Sequence, residues 1–157
     1  MTDAHYHLIV NHFPIIGSIF GFGILLFGIL FKNNSIKNTA YVMFVVSAIF
    51  AGLSMFTGED AERVVEDMPN IGHQIIHEHE EIAEKIALTL HIIGAFSIFG
   101  LYLNLKNHLK ANLISYLIAT ISVLAIILSI NVGTSGGEIR HTEIREKTNV
   151  SNHLEEK

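Results

Sequence analysis

The sequence predicts an all-α fold: an integral membrane four-helix bundle with an extended third helix and a short helix on the outer surface. Three observations carry this expectation. Half of the 157 residues are hydrophobic and only 16% are charged, a poor ratio for a water-soluble domain of this size. The apolar residues fall into four blocks, 8–31, 39–56, 86–105 and 113–132, each close to the ~20 residues that cross a ~30 Å hydrocarbon layer. Within them, runs such as GFGILLFGILF and SYLIATISVLAIILSI have no charged face, whereas a soluble bundle helix carries a polar one.

The first block follows MTDAHYHLIV, which has neither the basic stretch nor the small-residue cleavage site of a secretory signal, so it is expected to be kept as a helix. Pro14 is comfortable in a first helical turn, where its missing N–H costs nothing. KNNSIKN, with Lys32 and Lys37, joins the first two blocks, and KNHLK, with Lys106 and Lys110, joins the last two; neither contains an acid. The positive-inside rule sends both turns to the cytoplasm. The N-terminus, the 57–85 loop and the C-terminus then lie outside, as in a protein of the bacterial cytoplasmic (inner) membrane. The four bases of the tail depart from the rule.

The 57–85 loop carries nine acids and two bases. Thr57 and Asp60 resemble a capping box, and Ala61, Val64, Val65 and Met68 follow helical spacing, so a short surface helix is expected there. Pro69 and Asn70 break it. A new helix starts near Ile71 and continues through the third span to 105, a length of about 50 Å, so its first four turns project beyond the hydrocarbon. Gly133, Gly136 and Gly137 are expected to end the fourth span and permit a sharp return. Residues 1–137 thus form the membrane domain and 138–157 a polar tail.

Several functions are excluded. The chain has no cysteine, which removes disulfides, thiolate metal sites and covalent haem attachment. A net charge of -5 argues against nucleic acid as a partner. No phosphate-binding loop, dinucleotide fingerprint, Gly-x-Ser-x-Gly or His-Glu-x-x-His occurs.

The polar chemistry is gathered on one side. Nine of the ten histidines and all fifteen acids belong to the outer segments, and only His108 lies elsewhere. His12 and His91 each sit four or five residues inside a span that enters from the outer face, so they are expected at matching depth. Two level imidazoles from facing helices suit axial ligation of a haem iron. Gly94 and Ala95 beside His91, and Gly17 and Gly21 beyond His12, leave room for a macrocycle or for close helix packing. A second constellation lies in HQIIHEHEE. His73, His77 and Glu81 recur at i+4, with Glu80, Glu84, Leu88 and His91 on nearly the same face. Such a stripe suits zinc, copper or iron, or proton relay; a solvated helix with Glu81–Lys85 pairing explains it equally. The Gly136-Gly137 pair is positioned to fold His141 back over the bundle mouth. His5, His7 and His79 are expected to be solvated, and Met55 to be packing.

His12-Phe13-Pro14-Ile15, Thr57-Gly58-Glu59, the histidines before and within span three, and Gly136-Gly137 with His141 resemble a group of small bacterial four-helix membrane proteins of unassigned function. The likeness covers most of residues 5–141. The architecture is also similar to cytochrome b-type four-helix bundles, which hold haem between histidines of facing helices. That resemblance implies two stacked haems, but the cytoplasmic half here has no buried histidine, so one outer-face haem is the most this chain would hold.

The expected function is a membrane redox or metal-binding subunit rather than a stand-alone enzyme. It would carry one haem b, or iron, copper or zinc, near the outer face. His12 and His91 would be the first ligands, and His77, Glu81, His73 and His141 supporting or alternative metal ligands. Its electrons would come from a quinol or a periplasmic carrier. The alternative is a non-catalytic accessory subunit that scaffolds a larger membrane complex or a homodimer.

Overall fold

The computed structural model describes residues 3–66, 71–141 and 145. It contains α1 (Asp3–Val10), α2 (His12–Leu30), α3 (Asn34–Glu66), α4 (His73–Leu105) and α5 (Ala111–Arg140), and no strand among the described residues. Four helical stretches, His5–Leu30, Asn34–Glu66, His73–Leu105 and Ala111–Ile139, are long and apolar enough to cross a membrane. The bundle closes as a ring: α3 packs on α2 and α4, and α5 packs on α4 and α2.

The turns at 31–33 and 106–110 are short because both helices before them end in the same way. Asn33 N–H reaches back to Gly28 O at 2.9 Å and Lys32 N–H to Ile29 O at 3.1 Å. His108 and Asn107 repeat the pattern onto Leu103 and Asn104. These paired bonds satisfy the last carbonyls and turn the chain through a left-handed residue, here Lys32 (φ 51°) and Asn107 (φ 50°).

The inward seams alternate three- and four-residue steps. On α2 the buried positions are Pro14, Ser18, Gly21, Leu25 and Gly28. On α5 the buried seam is Ala111, Ser115, Ile118, Ser122, Ala125, Ser129 and Val132. This 3.5-residue period is that of left-handed bundle packing. The seams are rich in small and hydroxyl residues, while Phe20, Ile49, Ile98, Leu124 and Ile130 point outward. Ser115 and Ser122 return their hydroxyls to the carbonyls of Ala111 and Ile118, and Ser18 meets Ser129 across α2 and α5 at 3.1 Å. Small residues let the backbones approach. A Cβ at Gly94 would stand 2.7 Å from the Cβ of Ala48, and one at Gly17 would strike the Ser47 hydroxyl.

Three expectations are corrected. First, 57–66 is not a separate surface helix, because α3 runs unbroken to Glu66. Thr57 caps nothing; its hydroxyl donates to Leu53 O at 3.0 Å from within the helix. The spacing of Ala61, Val64 and Val65 continues the α3 phase, and one glycine, Gly58, is too weak a breaker to interrupt it. The short extra helix is instead α1, at the N-terminus. Second, α5 passes straight through Gly133, Gly136 and Gly137 to Arg140, since glycine lowers helix stability without forbidding the helical dihedrals. Third, His141 sits exposed at the end of α5, its N–H donating to Gly137 O at 2.9 Å. The Arg145 guanidinium bonds the carbonyls of Glu138 and Ile139. The long third helix is present as α4, starting from an extended Gly72. Met68, Pro69, Asn70 and His153 lie outside the described residues.

Candidate functional site

The best-formed polar cluster lies at the histidine-bearing end of the bundle, where α1, α3, α4 and α5 meet. His7 on α1 places Nδ1 3.2 Å from Ser54 O and 3.2 Å from Thr57 Oγ1. A carbonyl only accepts, so Nδ1 carries the hydrogen, and Nε2 of the neutral ring keeps its lone pair. His79 on α4 stands 2.8 Å from the Ser135 hydroxyl of α5, which spends its own hydrogen on Val132 O. His79 therefore donates from Nδ1 and likewise keeps an Nε2 lone pair. His7 and His79 are near enough for the charge of one to act on the other. Both are half-buried. Gly136 makes room for one of them: a Cβ there would lie 3.1 Å from His79 Cε1, whereas one at Gly58 would be in ordinary contact, 3.8 Å from His7 Cε1.

Neither His7 nor His79 stands out in the histidine pattern, yet the signal was present. Ile76, His79, Ala83, Ile86, Leu90, Ile93 and Ser97 run in alternating steps of three and four, the seam that α4 turns inward. The stripe of His73, His77, Glu81, Leu88 and His91 is the opposite face, and each of these residues is exposed.

The His91 ring lies against Gly52 of α3, while Phe13, beside His12, stacks on Phe50 at a centroid distance of 4.3 Å. Both imidazoles are exposed on the outer surface of the bundle rather than enclosed within it, and α3 packs between their two helices. Each Nδ1 donates to the carbonyl one turn back, His12 to Leu8 at 3.1 Å and His91 to Ala87 at 2.6 Å. This fixes each ring; the His91 Nε2 faces Gly52 of α3, where a Cβ would lie 3.4 Å away. Beside His91 a groove of about 280 Å³ follows the α3–α4 surface, lined by Val45, Ala48, Ile49, Gly94, Ala95 and Ile98.

The remaining candidates are dispersed. His73 pairs with Glu66 at 3.0 Å, bridging the ends of α3 and α4. His77 lies 3.6 Å from Glu81, which also binds Lys85 at 3.1 Å. Glu80 shares a hydrogen bond with Glu62 of α3, an arrangement that needs a proton on one of the two carboxyls. Among the described residues no three histidine or acidic side chains come together to hold a metal ion. The expected cluster of His73, His77, Glu81 and His141 is therefore not assembled: helix phase spends its members on separate local pairs.

Fold and site together describe a ring of four apolar helices with polar histidine chemistry at one mouth. No protein-family model, curated protein or solved structure matches this chain.

Proposed function

We propose that the chain is an integral membrane subunit that carries a redox cofactor near its outer face, one b-type haem with His91 as axial ligand. The observation that carries this reading is the His91 imidazole, tethered through Nδ1 to Ala87 O at 2.6 Å and exposed at the edge of an apolar groove. A ligating histidine commonly donates its other N–H to a backbone carbonyl, which fixes the ring and raises its basicity. Ala95 and Ile98 line that groove from the exposed side, whereas Ala48 and Gly94 are buried where α3 meets α4. His12, tethered in the same way, would hold a group of its own, because α3 packs between its helix and that of His91. A haem so held supplies one-electron transfer, and its exposed position suits a quinol or a periplasmic carrier as electron partner. Iron, copper or zinc on the same imidazoles is the variant without a macrocycle.

Lipid as the surrounding solvent is supported by the outward Leu, Ile and Phe side chains, which form a surface unfavourable in water. The basic turns at one end and the acids at the other support an orientation with the turns in the cytoplasm of a bacterial inner membrane.

The accessory-subunit reading has one observation in its favour. The groove of Ala48, Gly94 and Ala95 is also the small-residue surface on which a neighbouring transmembrane helix packs. A visible absorption spectrum of the purified protein separates the two. The redox reading expects a Soret band that His91→Ala abolishes with helix content unchanged. A spectrum without that band, together with a metal-free protein, sinks it and favours the scaffold.

A further inference from the structure

At the end of the bundle opposite the histidines, the two short turns and the first residues of α3 and α5 enclose a pocket of about 390 Å³. Lys37 forms part of its wall and is only 2% exposed. Its stem lies on Gly28, where a Cβ would come within 2.8 Å of Lys37 Cγ. Nζ donates to Asn112 Oδ1 at 2.9 Å. That uses one of its three donors, on a neutral partner. Among the described residues no carboxylate lies within ion-pair distance of Lys37, and neither connecting segment contains an acid. A buried ammonium without a counter-charge is costly, so this end of the fold is incomplete as a structural device.

The surrounding groups all favour an anion. His108 Nδ1 accepts the Lys110 N–H at 3.1 Å, so the hydrogen of its neutral ring is on Nε2. Asn112 has its oxygen engaged by Lys37, which leaves its amide hydrogens to donate. Lys32 adds a second ammonium to the lining, and no Asp or Glu joins it. Helices α3 and α5 both begin at this pocket, and α5 has no side-chain cap. Helix N-termini concentrate partial positive charge and free N–H groups. Beside these donors, Leu109 stands 97% exposed at the tip of its turn, an apolar neighbour suited to an acyl chain.

We propose that this pocket binds a phosphate group, with Lys37 as its central cation. The group is either the headgroup of an anionic phospholipid or free phosphate. The site stands apart from His7, His12, His79 and His91 and does not depend on the redox reading.

The test uses the full chain in two settings. In detergent it is titrated calorimetrically with inorganic phosphate. In phosphatidylcholine nanodiscs, prepared with and without phosphatidylglycerol, retained lipid is identified by native mass spectrometry. Lys37→Met is expected to weaken binding by at least about tenfold, as befits the loss of a charge-assisted hydrogen bond. Because Lys37 is packed, Asn112→Asp provides a second variant: it gives the ammonium a carboxylate, keeps the fold and abolishes anion binding. Phosphate binding without a phosphatidylglycerol preference assigns the free anion, and the reverse assigns the lipid headgroup. Equal binding by the native chain and Asn112→Asp, or no binding of either probe by the native chain, overturns the proposal.

Discussion

His79 on α4 and Ser135 on α5 are joined by a 2.8 Å hydrogen bond at the histidine-bearing mouth of the bundle. The serine hydrogen is committed to Val132 O, so the imidazole has one acceptor and a defined tautomer. Ser135→Ala removes that acceptor. Interhelical side-chain bonds in membrane bundles contribute about 0.6 kcal/mol on average and at most about 1.7. A loss in that range is expected as a lower unfolding midpoint in detergent, and Ser135→Thr, which keeps the oxygen, should recover most of it. An unchanged midpoint in Ser135→Ala would mean that the bond holds nothing together.

The approach of α3 and α4 is set by Gly94 against Ala48. A Cβ at Gly94 would stand 2.7 Å from the Cβ of Ala48, and neither group has a rotamer through which to retreat. Gly94→Ala is expected to destabilise the bundle by about 1–3 kcal/mol, the usual cost of overpacking. Ala48→Gly in the same chain should restore most of the loss, a coupling that only residues in contact produce. Additive effects in the double variant would contradict the contact.

Tyr41 is fully buried, and its hydroxyl meets the Ser115 hydroxyl at 2.7 Å across α3 and α5. Ser115 also donates to Ala111 O, which makes it the acceptor and Tyr41 the donor. Tyr41→Phe keeps the ring that packs on Gly100 and deletes only that donor. A cost of about 1 kcal/mol is expected, smaller than that of Tyr41→Ala, which also empties the space of the ring. Equal costs for the two would assign the effect to something other than the hydrogen bond.

The long helices and short turns were legible because apolar runs of about the length that crosses hydrocarbon stand out from their polar ends, and Lys32 and Asn107 stand where two such runs end. Helix phase was harder to read. On α4 two histidine-bearing stripes compete, one through His77 and His91 and one through His79 and Leu90. Hydrophobicity does not choose between them, because an outward Leu88 or Ile92 is as apolar as an inward Ile93. The deciding signal is residue size: Ala87, Gly94, Ser97 and Gly100 mark the side that faces other helices. Helix ends misled for a related reason. Gly58 and the glycines of 133–137 look like breakers by their type, yet all lie within helices, and Gly136 serves as clearance for His79.

The absence of cysteine permits a clean test of orientation. Asn33→Cys lies in an exposed inner turn, and Glu78→Cys on the exposed face of the projecting part of α4. With no native thiol, all labelling reports the introduced one. A membrane-impermeant maleimide applied to intact spheroplasts is expected to modify the Glu78→Cys chain and to reach the Asn33→Cys chain only after lysis. The opposite pattern would invert the orientation and place the acidic mouth in the cytoplasm.

The two histidine pairs should separate by what their loss changes. His79 is half-buried and bonded across helices, whereas His91 is exposed and bonded only within its own helix. His79→Ala is therefore expected to lower the unfolding midpoint and to leave bound haem or metal, measured per chain, close to native. His91→Ala should do the reverse: cofactor content falls, while stability stays within about 0.5 kcal/mol of native, as for surface substitutions generally. His12→Ala should leave the His91-dependent cofactor in place, because α3 packs between the two helices. Loss of cofactor in His79→Ala with retention in His91→Ala would move the site from the α3–α4 groove to the mouth, where His7 and His79 present their Nε2 lone pairs.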